Sequence, residues 1–425
     1  MTAPEGWHRL HPLSPAVRAG RLTIAFLIIF VPTFAGGGSG GWDAAGHLVV
    51  LLVLAALGFV AWLVTRWRIE GAHLRIETGL LRRSSRRFPL SQVQAIDTVR
   101  PGLARILGLT ELRLRMGGTG GAASLAYLPH RQALVLRARL LALATGAQED
   151  APEPLERVLV TVPVRRVLGS LALSGPALLL VVYVVATVVG LAHGGSAAHA
   201  VAGSAVPVLL GDAVALWRRF NRAYNATIAA APEGLRVRSG LVETTAETIP
   251  EGRVQAVQLV EPVLWRPFGW CRLEVDVAGR VHDRSDERHD ERQLRPVLPV
   301  GTRAEAAALI ELLVPAAPQP RRKPPPRARW KSPLRYRRLA FGYDERCAVA
   351  TTGRLARIDE AWVPLTKVQS LRRVQGPVQR RLRVATLHLD TAGKRVGAAF
   401  RDVDDDESLR DLDRLIELAR AARRA

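Results

Sequence analysis

Side chains able to ligate a metal crowd into residues 279–293, GRVHDRSDERHDERQ, among them His282, Asp283, Asp286, Glu287, His289 and Asp290. Carboxylates and imidazoles of this kind suit hard or borderline divalent ions. Four arginines offset the acids, and the stretch lengthens a hairpin, so a solvated loop is the plainer reading and a weak metal site the sharper one. A second acidic run, Asp402, Asp404, Asp405, Asp406 and Glu407, has the composition of a cation site but stands where a helix begins. Acids there complement the helix dipole, which accounts for them without a ligand. Gly36, Gly38 and Gly41 have dinucleotide-fingerprint spacing. That motif needs a strand before it and a helix N-terminus at the phosphate, whereas these glycines lie between two apolar segments and read as a turn. The two cysteines, Cys271 and Cys347, are far apart, which excludes a disulfide scaffold, a cysteine zinc site and an iron–sulfur cluster. The sequence offers no catalytic set, no cofactor site and no metal site to build on, and the chain reads as non-enzymatic.

The strongest candidate for binding is basic. Between Pro320 and Ala340 stand Arg321, Arg322, Lys323, Arg327, Arg329, Lys331, Arg335, Arg337 and Arg338, with no acid among them. Pro324 to Pro326 stiffen the segment towards polyproline II. With Trp330 and Tyr336 it could lie on the anionic inner leaflet, at about 1 kcal/mol per basic residue close to the surface. Nucleic acid competes for such charge but is disfavoured by the lack of a recognition-helix or RNP pattern. A solvated spacer is the bland alternative. The formal net charge is +22, and only four of the sixty basic residues are lysine, which reads as coding bias rather than chemistry.

Internal repetition shows which elements position these residues. The octets PLSQVQAI (89–96), PEGRVQAV (250–257) and PLTKVQSL (364–371) share one frame, Pro-x-x-x-Val-Gln. They place Pro89, Val93 and Gln94 on Pro250, Val254 and Gln255, and again on Pro364, Val368 and Gln369. With only eleven glutamines in the chain, three in one frame are a repeat. Each Val is expected in a core, and each Gln is expected to satisfy a backbone group near a strand end rather than to touch a ligand. Downstream, Leu107-Gly108-Leu109 falls on Phe268-Gly269-Trp270 and, more loosely, on Leu382-Arg383-Val384. LRLRM, LEVDV and LHLDT alternate at period two, as half-buried antiparallel strands do. Each copy ends in a helical pattern, the second opened by a Thr302-x-x-Glu305 capping box. Several strands closed by one amphipathic helix make a small β-barrel or sandwich.

Four apolar segments, about 16–35, 47–64, 167–191 and 200–217, approach the ~20 residues needed to span a bilayer. The connectors within each pair lack Arg and Lys, whereas arginines flank both pairs, so both hairpins read as in–out–in. A signal peptide at the first segment is the rival reading there. Asp212, near the fourth segment's end, reads as an interfacial acid paired with Arg218 and Arg219 rather than part of an ion path.

With RLHPLS (Arg9 to Ser14), the helix hairpin and the Pro-x-x-x-Val-Gln frame in this order, the chain resembles the bacterial pleckstrin-homology-like (PH-like), membrane-flanked domain family, in particular YdbS/YdbT-like proteins. The resemblance implies membrane helices coupled to PH-like modules and an envelope-associated role, with no assigned reaction. The expected fold class is an α+β membrane protein: four transmembrane helices in two hairpins plus three cytoplasmic PH-like modules. The expected order is an N-terminal tail (1–15), hairpin (16–65), module one (66–146), linker (147–166), hairpin (167–217), module two (218–316), Pro/Arg-rich linker (317–334) and module three (335–425). The expected location is the cell membrane, multi-pass, with both termini cytoplasmic. The expected role is a scaffold or a binder of lipid, peptide or protein, and oligomerisation stays open. The rival is a transporter or export accessory whose helices are the working part.

Overall fold

A computed structural model describes residues 6–14, 56–145 and 156–424, apart from short breaks, the longest at 79–83, 117–121 and 278–295. The chain divides into two compact units. The first, Met1–Leu155 with Val242–Thr248, holds strands β1 (His8–Arg9), β2 (Arg66–Glu70), β3 (His73–Thr78), β4 (Ser84–Pro89) and β5 (Val93–Arg100). Helix α1 (Gly102–Ile106), strands β6 (Leu109–Met116) and β7 (Ala122–Pro129), and helix α2 (His130–Thr145) follow. One sheet runs β1-β2-β3-β4, and β5, β6 and β7 form consecutive antiparallel pairs in another. The period-two pattern puts Leu112 and Leu114 fully in the core with Leu74, Leu90, Ile96 and Leu125, while Arg113 between them is half-buried and pairs with the buried Glu111.

The second unit, Glu156–Leu241 with Ile249–Ala425, begins with β8 (Arg157–Thr161), α3 (Val164–Ala172), α4 (Gly175–His193) and α5 (Ser196–Ala223). Then come β9 (Thr227–Ala231), β10 (Gly234–Ser239), β11 (Thr244–Pro250), β12 (Val254–Pro262), β13 (Trp270–Val277), β14 (Pro296–Thr302) and α6 (Arg303–Leu313), with residues 244–248 of β11 belonging to the first unit. The last module comprises β15 (Ala340–Tyr343), β16 (Cys347–Arg354), β17 (Arg357–Pro364), β18 (Val368–Val374), α7 (Pro377–Arg381), β19 (Val384–Thr391), β20 (Ala398–Asp404) and α8 (Asp405–Arg424). One sheet runs β14-β13-β12-β17-β16-β15 and another β18-β19-β20. The Thr302 and Glu305 capping box forms as its spacing predicts, and Arg166 of α3 donates to both Glu305 oxygens at 2.9 Å.

The repeated residues explain the repeated shape. In β5, β12 and β18 the pairing register slips by one residue, between Val93 and Ala95, Val254 and Ala256, and Val368 and Ser370. The recurring glutamine is therefore the extra residue of a β-bulge, which bends the strand as it enters the second sheet. Gly108, Gly269 and Arg383, which the repeat superposes, all have positive φ (69°, 63° and 47°). Two copies use glycine, which adopts this conformation without a Cβ clash, and the third forces an arginine into it.

The membrane part of the expected fold class is corrected. Among the described residues no single helix is long and apolar enough to cross a membrane. The apolar run at 167–191 is not one helix: it breaks after Leu173, and Val164–Ala172 meets Gly175–Gly190 at 52°. Pro176 favours the first turn of a new helix rather than the middle of an old one. Its N-terminal part also serves as an ordinary core helix. Val167 is fully buried with Ile228, Leu273 and Leu298, and a Cβ on Gly169 would come within 2.8 Å of the Trp270 ring. Among the described residues only the bent pair together has the length and composition of a span. α5 packs on α4. The first expected hairpin, 16–65, lies outside the described residues up to position 55.

Both cysteines sit in the core of the second unit, and burial pushes each thiol up to about 12. On β19, Asp390 accepts from Arg372 Nε (2.5 Å) and Nη2 (3.0 Å) and from Ser370 Oγ (2.8 Å). The guanidinium, more than the hydroxyl, holds this carboxyl down to about 2, against an ordinary 3.8. An acid depressed on folding contributes stability above its unfolded pKa and loses it as pH falls through the folded one. Urea melts of the protein should thus show a loss from about pH 4 towards 2 that Asp390→Asn shares less. An unchanged pH slope in that variant would contradict the assignment.

Candidate functional site

The basic segment does not hang free. Residues 318–339 form a strap on the third module. Its path is set by backbone: Arg322 and Phe341 exchange N–H and C=O bonds at 2.9 Å, and the Trp362 indole donates to the Pro318 carbonyl at 3.1 Å. Gly342 permits the approach, since a Cβ there would lie 2.9 Å from the Gln319 carbonyl oxygen. After Pro324 and Pro325 the chain tightens into a 3-10 turn, Pro326–Trp330, which inserts Ala328 into the module with no exposure. A second turn, Tyr336–Arg338, leads into β15.

Side chains complete the docking, and they are the acids that follow much later in the sequence. Arg322 donates to Asp411 (2.6 Å) and Glu407 (2.8 Å), and its guanidinium lies 5.0 Å from the Phe341 ring centre. Arg327 pairs with Asp404 and donates to the carbonyls of Leu382 (2.7 Å) and Arg383 (3.0 Å). Lys331 and Ser332 donate to opposite oxygens of Asp402, which also accepts from Gln379 at 2.9 Å. Gln379 in turn reaches Thr386 at 2.9 Å, so the 1% exposed Asp402 anchors a buried polar network. Tyr343 donates to Asp411 at 2.8 Å, and burial together with that bond pushes its hydroxyl up to about 12. Arg338 turns to the Arg354 carbonyl.

The nine candidate cations thus separate. Arg322, Arg327 and Lys331 are committed to acids of the module. Arg321, Lys323, Arg329 and Arg337 are exposed, with Arg329 lying 5.7 Å from the Tyr336 ring centre. Arg335 is half-buried, and burial together with Arg354 and Arg401 disfavours its charge. The strap also exposes two large apolar side chains, Trp330 at 84% and Leu334 at 63%. The strap is neither a loose spacer nor a polyproline rod but a folded cap that exposes both cations and apolar side chains.

The other candidates fall as follows. Val254 and Val368 are buried and Val93 half-buried at the starts of their strands, directly after Pro250, Pro364 and Pro89 end theirs. Gln255 is buried and donates to the Arg253 carbonyl at 3.3 Å; Gln369 is exposed; the Gln94 side chain lies outside the described residues. Asp405, Asp406 and Glu407 occupy the first turn of α8. The His/Asp-rich loop lies outside the described residues, among which no group of three or more His, Cys, Asp or Glu could hold a metal. Sequence reasoning missed the acids Asp402, Asp404, Glu407 and Asp411 as partners of the strap. The available signal was charge complementarity between an acid-free basic segment and an acid-rich one downstream.

The class these observations define is a repeated α+β module, in which strands precede a bulged corner, three more follow it, and one helix closes the module. Comparison with known families agrees. The bacterial PH domain model matches three times, over residues 24–144, 163–317 and 312–414, and the chain belongs to that family. Searches of curated proteins and of solved structures each returned no match. Three such domains in one chain support a scaffold or binding role with a lipid or protein partner.

Proposed function

We propose that this chain is a non-catalytic binding protein of the cell membrane's anionic face, docking there through the outer face of the strap on its third module. The observation that carries this reading is the 84% exposed Trp330 on a strap that also exposes Arg329, Lys323, Arg321 and Arg337. An indole is well placed at a lipid headgroup boundary, with its ring in the apolar layer and its N–H wet. Cations beside it add attraction to anionic lipid. The strap's fixed fold favours this use, because ordering has already taken place before contact.

A fluorophore at Leu334→Cys in the full-length protein reads contact directly, since the two native thiols are buried and far from ionising. Emission should shift to the blue with phosphatidylglycerol vesicles and not with neutral ones. The shift should fade with salt as the Debye length falls from about 10 Å at 0.1 M to about 3 Å at 1 M. Lys323→Gln with Arg329→Gln should weaken it by about 2 kcal/mol, near thirtyfold. An equal shift on neutral vesicles, or none on either, would reject the reading.

A further inference from the structure

The bulged strands of the first two modules have a neighbour that comes from the next module. β5 pairs antiparallel with β11 through Val99↔Thr245 and Thr98↔Ala246. β12 pairs with β17 through Val260↔Asp359 and Leu259↔Glu360. Under the repeat frame Val99 superposes on Val260, Thr98 on Leu259, Thr245 on Asp359 and Ala246 on Glu360. The two pairings therefore share one register. The strand that precedes each corner, β11 or β17, is the one that extends the sheet of the module before it.

This series leaves one acceptor and one donor unused. β18, the third module's equivalent of β5 and β12, ends its sheet, which runs β18-β19-β20 among the described residues. β4, the first module's equivalent of β11 and β17, ends its own sheet after β3 among the described residues. Both edges face solvent: Gln369, Ser370, Arg372 and Val374 on β18, and Ser84 to Arg87 on β4, are exposed. An unpaired edge of this kind is a template for another strand.

We propose that copies of this chain associate head to tail, β4 of one copy adding antiparallel to β18 of the next in the register already used twice within the chain. That register sets Ser84 opposite Val374, Ser85 opposite Arg373 and Arg86 opposite Arg372. Local charge fits this occupant. At the internal junction Arg303, first residue of α6, binds Glu261 of β12 and Glu360 of the incoming strand. The equivalent first residue of α8 is the acid Asp405, bound to Arg373 and Gln375. The helix residue is reversed in sign, and in the same frame Asp359 and Glu360 of β17 become Ser84 and Ser85 of β4, SSRRFP, so no acid is brought against Asp405. Arg372, which would face Arg86, is already neutralised by Asp390. Because acceptor and donor are different surfaces, the contact is heterologous and propagates to rings or filaments rather than closing as a twofold dimer.

Disulfide trapping of full-length protein in cells tests this. Two differently tagged copies, one Ser84→Cys and one Val374→Cys, should give a hybrid dimer on oxidation, because facing residues have Cα atoms about 4.5–5.5 Å apart, within disulfide range. The double variant should give a ladder of dimer, trimer and larger species. Arg87→Cys with Val374→Cys should cross-link at least tenfold less, being three residues, about 10 Å, out of register. Both principal positions are exposed, and Ser85→Cys with Arg373→Cys repeats the test one residue along. No hybrid from either pair, equal yield from the out-of-register pair, a homodimer of Val374→Cys alone, or its capture of a different protein would each overturn the proposal.

Discussion

Asp402→Ala should destabilise the protein by about 3 kcal/mol, in the range for breaking a buried charged network from one side. Asp402 is 1% exposed and accepts from Lys331, Ser332 and Gln379. Lys331 is about a third exposed and can turn to water, which limits its share of the loss. Gln379 is buried and keeps Thr386 on its amide nitrogen and the Gly376 N–H on its oxygen, so one amide hydrogen goes unsatisfied. Backbone adds to this: Asp402 has φ 56°, where a short polar side chain is tolerated and alanine costs roughly 1–2 kcal/mol. Asp402→Asn, which keeps that tolerance and one acceptor, should lose about half as much. Urea melts give the energies, and limited proteolysis at Arg327 and Arg329 shows whether the strap lifts. A loss under about 1 kcal/mol with the strap still protected would mean that water replaces the network freely.

Arg303→Glu should cost about 1–2 kcal/mol at neutral pH, since the arginine is largely exposed and screened, and its cost should depend on pH in a defined direction. Arg303 bridges Glu261 of β12 to Glu360 of β17, the strand pair that joins modules two and three. Glu360 is 7% exposed on its side chain, and burial raises its carboxyl above the ordinary 4.5 despite Arg303. The reversed charge gathers three acids where one cation had served two. An acid raised on folding holds its proton in the folded state at pH values where the unfolded chain has lost it. The penalty therefore grows as pH rises from about 4.5 through the folded value, and shrinks as pH falls. The variant should recover part of its stability between pH 7 and 5, whereas Arg303→Ala should lose less and recover less. An identical loss at both pH values would show that Glu360 is not the group responsible.

Much of the module was legible in the residues. Period-two alternation put Leu112, Leu114, Leu273, Val275, Leu387 and Leu389 inside, and all six are buried. The repeat frame held Gly108, Gly269 and Arg383 in one position, which proved to be one backbone conformation. The recurring glutamine was visible as a signal but not as a bulge, because a bulge is a property of two paired strands and one strand's sequence does not show it. For the candidate site, the sequence named the nine cations but not which were free. Arg322, Arg327 and Lys331 find acids between 71 and 89 residues away, and no local pattern distinguishes them from Arg321, Lys323 and Arg329. The apolar run at 167–191 was misleading for a related reason. Its composition suits a bilayer, yet Val167 and Gly169 are used against a protein core, and Ser174-Gly175-Pro176 turns the chain by 52°.

Whatever depends on neighbours along the chain is written in the residues: the strand alternation, the corner residues, the capped helix at Thr302, and the threefold repetition that goes with membership of the bacterial PH domain family. Tertiary structure decided what depends on partners distant in sequence. It paired β5 with β11 and β12 with β17, so that adjoining modules share strands, and it laid the basic strap onto acids of α8 and β20. The physical reason is range. Backbone propensity and side-chain periodicity act over a few residues and are written locally. Edge pairing and charge pairing are satisfied by whichever complementary group the fold brings within about 3 Å, and only the closed chain fixes which that is.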